Sequence, residues 1–226
     1  MLVHGWGGDL NSFEELRENL SDHGYTVYNL ELKGFGQTVE PEIPWEIGDF
    51  SNYIIDFCNS QQIHKPILVG HSFSGKIVLD IAANNLFELK KIILIGADGV
   101  YPNFSLKKIT FRFLSDIKRL LPEGLQVALA KKYYKYILKN VRYVKTSDVM
   151  RKTLINCDKV TFEKRLDQIK IPTLIIWGAN DKVTPLWMGE LLHKGIVGST
   201  LKVIEDIGHA IPLKNPAYIA DLINKF

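Results

Sequence analysis

The chain has 226 residues, of which 46% are hydrophobic and 23% charged, with a formal net charge of +3. That is enough chain and apolar content for one sizeable core, and its longest apolar runs fall well short of the roughly 20 residues a membrane span needs. Two cysteines, Cys58 and Cys157, without Cys-x-x-Cys spacing or nearby histidine clusters, argue against a disulfide framework and a structural zinc site. The N-terminal MLVHGWGGDL has no basic stretch followed by an apolar core, so no secretory signal is read there and a cytoplasmic location is the default expectation.

In chain order, Leu2–Val3 reads as a strand stub and Ser12 as the N-cap of a helix that sets Phe13, Leu16 and Leu20 on one face before Gly24 stops it. Tyr25–Leu30 reads as a strand, Asp49–Ile63 as an amphipathic helix, Pro66–Val69 as a strand and Phe73–Asn84 as the helix that follows it directly. Strands Lys91–Ile95, Thr173–Trp177 and Thr200–Ile204 complete the pattern. Short apolar strands alternating with helices predict an α/β fold, with a mostly parallel, doubly wound sheet.

The alternation breaks between Tyr101 and Asp167, where only helical spacing is found: Leu106–Leu121, Leu125–Leu138, Ser147–Cys157 and Val160–Leu166. This predicts a helical insertion ahead of the penultimate strand, with core at 1–100 and 168–226 and the insertion at 101–167. Residues 101–170 hold 17 Lys/Arg against 6 Asp/Glu, while the remainder holds 11 against 19. Such a segment is either a solvated basic surface or a field for an anionic substrate or an acidic carrier protein. No RNA or DNA module is interleaved with it, so nucleic acid is not an expected partner.

Chemistry concentrates at Gly70-His71-Ser72-Phe73-Ser74-Gly75, between a strand and a helix. Centred on Ser72, the frame is nearly G-x-S-x-G, the sharp turn that lifts a serine clear of the backbone. Centred on Ser74, it would put Lys76 where a small residue is required, so Ser72 is the better apex and Ser74 a small residue in a glycine's place. A serine hydroxyl needs a general base, and that base needs a partner to fix its tautomer. Asp181 follows strand Thr173–Trp177 and His209 follows strand Thr200–Ile204, giving the chain order Ser, Asp, His. Asp98, at the end of Lys91–Ile95, and Asp206, near His209, are alternative acids.

The pieces HGWGG (4–8), GFGQT (34–38), GHSFSG (70–75), WGANDKVTP (177–185) and GHAIPLKNP (208–216) resemble, in order and across the whole chain, the α/β-hydrolase superfamily. The resemblance implies Ser72 as nucleophile, His209 as base and Asp181 as orienting acid. It also implies that the backbone N–H groups of Trp6 and Phe73 form the oxyanion hole. The insertion would be the cap that covers the site, its pocket drawn in part from Phe104, Phe111, Phe113, Tyr133, Tyr134 and Tyr136. No metal or organic cofactor is expected. His4 and His71 read as positioning residues, and His23, His64 and His193 as solvated ones.

The implied activity is that of a serine hydrolase acting on a small ester or related acyl compound. Carbon–carbon bond hydrolysis and a catalytically silent ligand-binding homologue are the alternatives. Family members usually carry two strands ahead of the His-Gly motif, whereas here His4 follows only three residues. The expectation is therefore either a start further upstream or a sheet lacking its first two usual strands. In the second case Tyr25–Leu30 lies at an exposed edge, which invites homodimerisation.

Overall fold

A computed structural model describes residues 1–101 and 146–226. Six strands, β1 (Leu2–Val3), β2 (Asn29–Leu30), β3 (Ile67–His71), β4 (Lys91–Ile95), β5 (Thr173–Gly178) and β6 (Thr200–Ile204), form one sheet in the order β2-β1-β3-β4-β5-β6. Every pairing is parallel. Among the described residues the helices are α1 (Glu14–Asp22), α2 (Ile47–Ser60), α3 (Phe73–Ala83), α4 (Asp148–Asp158), α5 (Leu186–Gly195), α6 (Ile211–Lys214) and α7 (Pro216–Lys225). No helix among the described residues is long and apolar enough to cross a membrane.

Two cores explain why the central strands are apolar at nearly every position. Leu68, Ile92, Leu94, Ile175 and Trp177 join one cluster with Phe50 and Ile54 of α2, Ile77 of α3 and Leu192 of α5. Their immediate neighbours Val69, Ile93, Ile95, Leu174 and Ile176 join a second cluster with Leu16 and Leu20 of α1 and Ile219 and Ile223 of α7. Successive side chains of a strand point to opposite faces, so a sheet covered on both sides needs apolar residues at both parities. The result is the doubly wound, three-layer α/β arrangement expected from the sequence.

Several expected boundaries move for local physical reasons. The strand expected at Tyr25–Leu30 contracts to two residues because its neighbour β1 offers only Leu2 and Val3 for pairing. β2 lies at the edge of the described sheet, and its shortness limits the template it presents. Asp9, not Ser12, opens the first helical segment, a 3-10 turn over Leu10–Phe13. Ser12 Oγ accepts the Asp9 N–H at 3.1 Å, and α1 begins at Glu14. α2 starts at Ile47 because Asp49 reaches back to the Glu46 N–H at 2.7 Å. The helix expected at Val160–Leu166 does not form: the Phe162 N–H bonds Gly99 O at 2.9 Å, and a 3-10 turn follows at Leu166–Gln168. The helix expected at Ser147–Cys157 is α4, capped by Ser147 Oγ on the Met150 N–H. Leu106–Leu121, Leu125–Leu138 and the six expected pocket aromatics lie outside the described residues.

Candidate active site

The carboxyl ends of the parallel strands face one side, where the crevice of a doubly wound sheet lies. β3 delivers His71 and Ser72 there, β4 Asp98, β5 Asp181, β6 His209, and β1 the His4–Gly8 turn.

Ser72 is the N-cap of α3 and sits at φ 55° and ψ −119°. A non-glycine residue pays about 1–2 kcal/mol for such a conformation, which persists only where its surroundings impose it. Here the Ser72 N–H donates to Ile95 O at 3.0 Å, and Ser72 O accepts from the Gly75 N–H at 3.0 Å and the Asp98 N–H at 2.9 Å. Glycine is required on both sides of the turn: a Cβ on Gly70 would stand 2.7 Å from Val78 Cγ2, and one on Gly75 2.3 Å from Ala97 Cβ.

Ser72 Oγ lies 2.8 Å from His209 Nε2, and His209 Nδ1 lies 2.8 Å from Asp181 Oδ2. The structure thus brings these three predicted residues into one hydrogen-bonded chain. Asp181 is anchored in turn: its Oδ1 accepts the N–H groups of Val183 at 2.8 Å and Thr184 at 2.9 Å. Burial pushes the Asp181 carboxyl up, but the His209 hydrogen bond and charge, with those two N–H groups, outweigh it and hold the group below its ordinary value. Of the alternative acids, Asp98 is paired instead with Lys76 at 3.0 Å, and Asp206 is exposed on its own turn.

The two predicted positioning histidines are both engaged. The His4 Nδ1–H donates to Gly5 O at 2.8 Å while Nε2 accepts the Leu32 N–H at 3.0 Å, so the buried ring is neutral; burial lowers its pKa. His71 Nε2 donates to His209 O at 2.9 Å, with the two rings 4.8 Å apart. Burial first, and the proximity of His209 second, lower the His71 pKa to about 4. Of the histidines expected to be solvated, His23 approaches Asp221 at 3.1 Å and His193 approaches Ser199 Oγ at 2.9 Å.

Trp6 and Phe73 flank the serine, their rings in edge contact at 5.0 Å. Phe73 opens α3, so its N–H belongs to the first turn, where amides lack intrahelical partners and the helix dipole is positive. The His4–Gly8 turn packs against the elbow, since a Cβ on Gly5 would stand 3.0 Å from Ser72 Cβ. A cavity of about 210 Å³ opens beside Ser72 and His209, lined also by Gly5, Trp6, Gly8, Ser12, Pro212 and Leu213. A larger one, about 370 Å³, lies among Met1, Tyr25, Tyr28, Gln62 and Ile67, but no nucleophile and base meet there. Among the described residues no group of three or more His, Cys, Asp or Glu side chains is placed to hold a metal ion.

Three residues acquire roles that the sequence reading did not assign. Ser74 Oγ accepts the His71 N–H at 2.8 Å and approaches Val3 O at 2.5 Å, so it ties β1 to the elbow rather than merely standing in for glycine. Thr184 Oγ1 lies 2.9 Å from Asp181 Oδ2 and 3.1 Å from His209 Nδ1. Lys76 is wholly buried beneath the elbow. The hydroxyl of Ser74 at a position where the motif has glycine was the only one of these signals visible in the sequence.

A family model described as the alpha/beta hydrolase fold matches residues 1–216. Among curated proteins, the chain is similar to the pimeloyl-[acyl-carrier protein] methyl ester esterase of Neisseria meningitidis serogroup B (strain MC58). The two are 28% identical over 242 residues, covering 100% of this chain and 91% of the relative. Among solved structures it is similar to an esterase from Exiguobacterium antarcticum, with a TM-score of 0.74, 22% identity, and coverage of 99% of this chain and 90% of that one. It is also similar to the meta-cleavage product hydrolase from Pseudomonas fluorescens IP01, with a TM-score of 0.72, 20% identity, and coverage of 99% and 88%. The structural likenesses concern the fold, and the family match spans sheet, elbow and the loops bearing Asp181 and His209: the chain belongs to the α/β-hydrolase fold family.

Proposed function

We propose that the chain is a serine hydrolase that cleaves a small carboxylic ester through an acyl-enzyme. The observation that carries this reading is the chain of contacts from Ser72 Oγ to His209 Nε2 and from His209 Nδ1 to Asp181 Oδ2, each 2.8 Å, on a strained strand-to-helix turn. With its Nδ1–H given to Asp181, His209 presents a free Nε2 lone pair to the serine hydroxyl.

In this mechanism Nε2 takes the Ser72 proton as Oγ attacks the ester carbonyl carbon, and the carbonyl π pair moves onto oxygen. The Trp6 and Phe73 N–H groups receive that oxyanion, a contribution worth about 10²–10³ in rate per donor. Collapse expels the alkoxide, which leaves as alcohol with the proton from His209. Water then attacks the acyl carbon, giving its proton to Nε2, and the second collapse returns the proton to Ser72 Oγ and frees the acid. Asp181 balances the imidazolium charge at each stage. Apart from the ester and this water, the chain's own residues supply the groups these steps use.

The Neisseria relative is named for a methyl ester on an acyl-carrier-bound chain. For this protein we infer the class that name suggests: an ester of a small alcohol whose acyl part is anionic or carried by an acidic protein. The cavity of about 210 Å³ beside Ser72 has room for such an alcohol group, and the 17 Lys/Arg against 6 Asp/Glu in residues 101–170 suit the anionic part. A second copy would pair through the β2 edge; sedimentation that finds only monomer at micromolar concentrations removes that part of the reading.

A fluorophosphonate probe tests the assignment. Labelling is expected in the wild type and in Ser74→Ala, and is expected to vanish in Ser72→Ala. Label that survives Ser72→Ala overturns it. Turnover of short p-nitrophenyl esters separates an enzyme from a silent homologue.

A further inference from the structure

Lys76 occupies the first turn of α3, one helical turn beyond Ser72, and its side chain is 0% exposed. Burying an ammonium costs several kcal/mol unless partners compensate it, and an apolar residue of similar size is often equally stable there or better. Core stability by itself therefore gives no reason for a lysine beneath the elbow.

Its partners are specific. Nζ lies 3.0 Å from Asp98 Oδ2, donates to Cys157 O at 3.2 Å and stands 3.8 Å from Asp158 Oδ1. Its three N–H groups thus face three oxygens, one of them a carbonyl in the last turn of α4, where the helix dipole favours a cation. Asp98 is bonded on its other oxygen too: Oδ1 accepts the Gly99 N–H at 2.7 Å and the Tyr101 hydroxyl at 3.1 Å. The main chain of Asp98 closes the circuit, because its N–H is one of the two that hold Ser72 O.

The same contacts join the two limbs of the chain that flank residues 102–145. Asp98 to Tyr101 forms the outgoing limb and Cys157 to Glu163 the returning one. The Phe162 N–H bonds Gly99 O at 2.9 Å, and the Tyr101 N–H donates to the Glu163 carboxylate. The outgoing limb also presses closely on α3, since a Cβ on Gly99 would stand 2.9 Å from Leu79 Cδ1 and 3.5 Å from Lys76 Cα.

We propose that Lys76 is a positioning residue for the nucleophile: through Asp98 it holds the carbonyl of Ser72 in the strained elbow, and through the end of α4 it registers the returning limb against that elbow. The role rests on Ser72 being the nucleophile only where the readout is a rate. Contact between Lys76, Asp98 and α4 is independent of that reading.

The test compares wild type with Lys76→Met and the double variant Lys76→Met/Asp98→Asn, in which the unpaired carboxylate is removed as well. The measurements are Tm, kcat and KM for a short p-nitrophenyl ester, and amide hydrogen exchange of peptides covering 72–76, 97–101 and 157–163. The single variant is expected to lose Tm. The double variant is expected to recover Tm while kcat stays about 10–100-fold low with KM little changed, and exchange at 97–101 stays faster than in wild type. A double variant with wild-type kcat and wild-type exchange overturns the proposal. If wild type itself shows no turnover and no label at Ser72, the hydrolase reading fails, and exchange alone still decides whether Lys76 clamps the elbow.

Discussion

Thr184 Oγ1 stands 3.1 Å from His209 Nδ1, within reach of the same proton that Asp181 Oδ2 receives at 2.8 Å. The hydroxyl also lies 2.9 Å from Gly96 O and 2.9 Å from Asp181 Oδ2. It has one hydrogen to give. Donation to Gly96 O leaves an oxygen lone pair facing Nδ1–H, a second acceptor that keeps the imidazole in the required tautomer. Thr184→Val keeps the shape and removes the hydroxyl. We expect kcat/KM to fall about tenfold, the worth of one net hydrogen bond of about 1.4 kcal/mol, with Thr184→Ser retaining most of the activity. Steady-state kinetics on a p-nitrophenyl ester measures this, and equal loss in the valine and serine variants refutes it.

Asp181 is expected to matter far more than its alternatives. Asp181→Asn keeps the size but puts an amide in place of the carboxylate that contacts His209 Nδ1; if that carboxylate is the orienting acid proposed, kcat drops by about 10³–10⁴-fold with KM little altered. Asp206→Asn, at an exposed turn, is expected to leave kcat within about twofold of wild type. A comparable loss in Asp206→Asn contradicts the assignment of the acid.

Ser74 supplies a prediction against the motif's own preference. Its hydroxyl accepts the His71 N–H in a partly buried bond and contacts Val3 O in the interior. Removing it takes a partner from the buried Val3 carbonyl and the partly buried His71 N–H, at about 1–3 kcal/mol. Ser74→Gly, which restores the usual glycine, is therefore expected to be destabilised no less than Ser74→Ala. Urea unfolding gives the comparison; a glycine variant as stable as wild type shows that the hydroxyl is dispensable.

These cases mark what was legible in the sequence. The central strands were readable because burial on both faces makes Ile92–Ile95 and Thr173–Trp177 continuous apolar runs. That Ser72, Asp181 and His209 would come together was readable because each sits in a turn just beyond the carboxyl end of an expected parallel strand. Tyr25–Leu30 misled because strand propensity says nothing of how much neighbour is available, and β1 provides two residues. Val160–Leu166 misled because helical spacing cannot reveal that the Phe162 N–H is committed to Gly99 O. Thr184 and Lys76 were invisible for a related reason. Thr184 also bonds Asp181 three residues back, but its contact with Gly96 spans 88 residues and that of Lys76 with Cys157 spans 81, which no local pattern encodes.

His71, whose ring packs 4.8 Å from that of His209, predicts how stability changes with pH. His71 has a folded pKa of about 4 against an ordinary value of 6.5, so between those values the unfolded chain binds a proton that the native chain does not. Stability from this group is complete above about pH 6.5 and is lost as pH falls towards 4. The total is on the order of 3 kcal/mol from one residue. Urea midpoints measured from pH 7 to 4.5 should decline, and His71→Asn should flatten that decline while lowering stability at pH 7, since the bond to His209 O is also weakened. An unchanged slope in the variant assigns the acid sensitivity elsewhere.

The charge segregation makes the proposed anionic substrate testable. Residues 101–170 carry a balance of +11 from 17 Lys/Arg and 6 Asp/Glu, while the remaining residues carry −8 from 11 and 19. A field of this kind raises the encounter rate of anions and is screened within about 10 Å at 0.1 M salt. For a pair of esters that differ only in a terminal carboxylate on the acyl chain, kcat/KM of the anionic one is expected to fall by at least about threefold between about 20 mM and about 0.5 M salt, while that of the neutral ester stays flat. The effect should appear in kcat/KM and leave kcat unchanged, because steering changes encounter and not the chemical step proposed at Ser72. Identical salt profiles for the two esters mean that the lysines of this segment only face water.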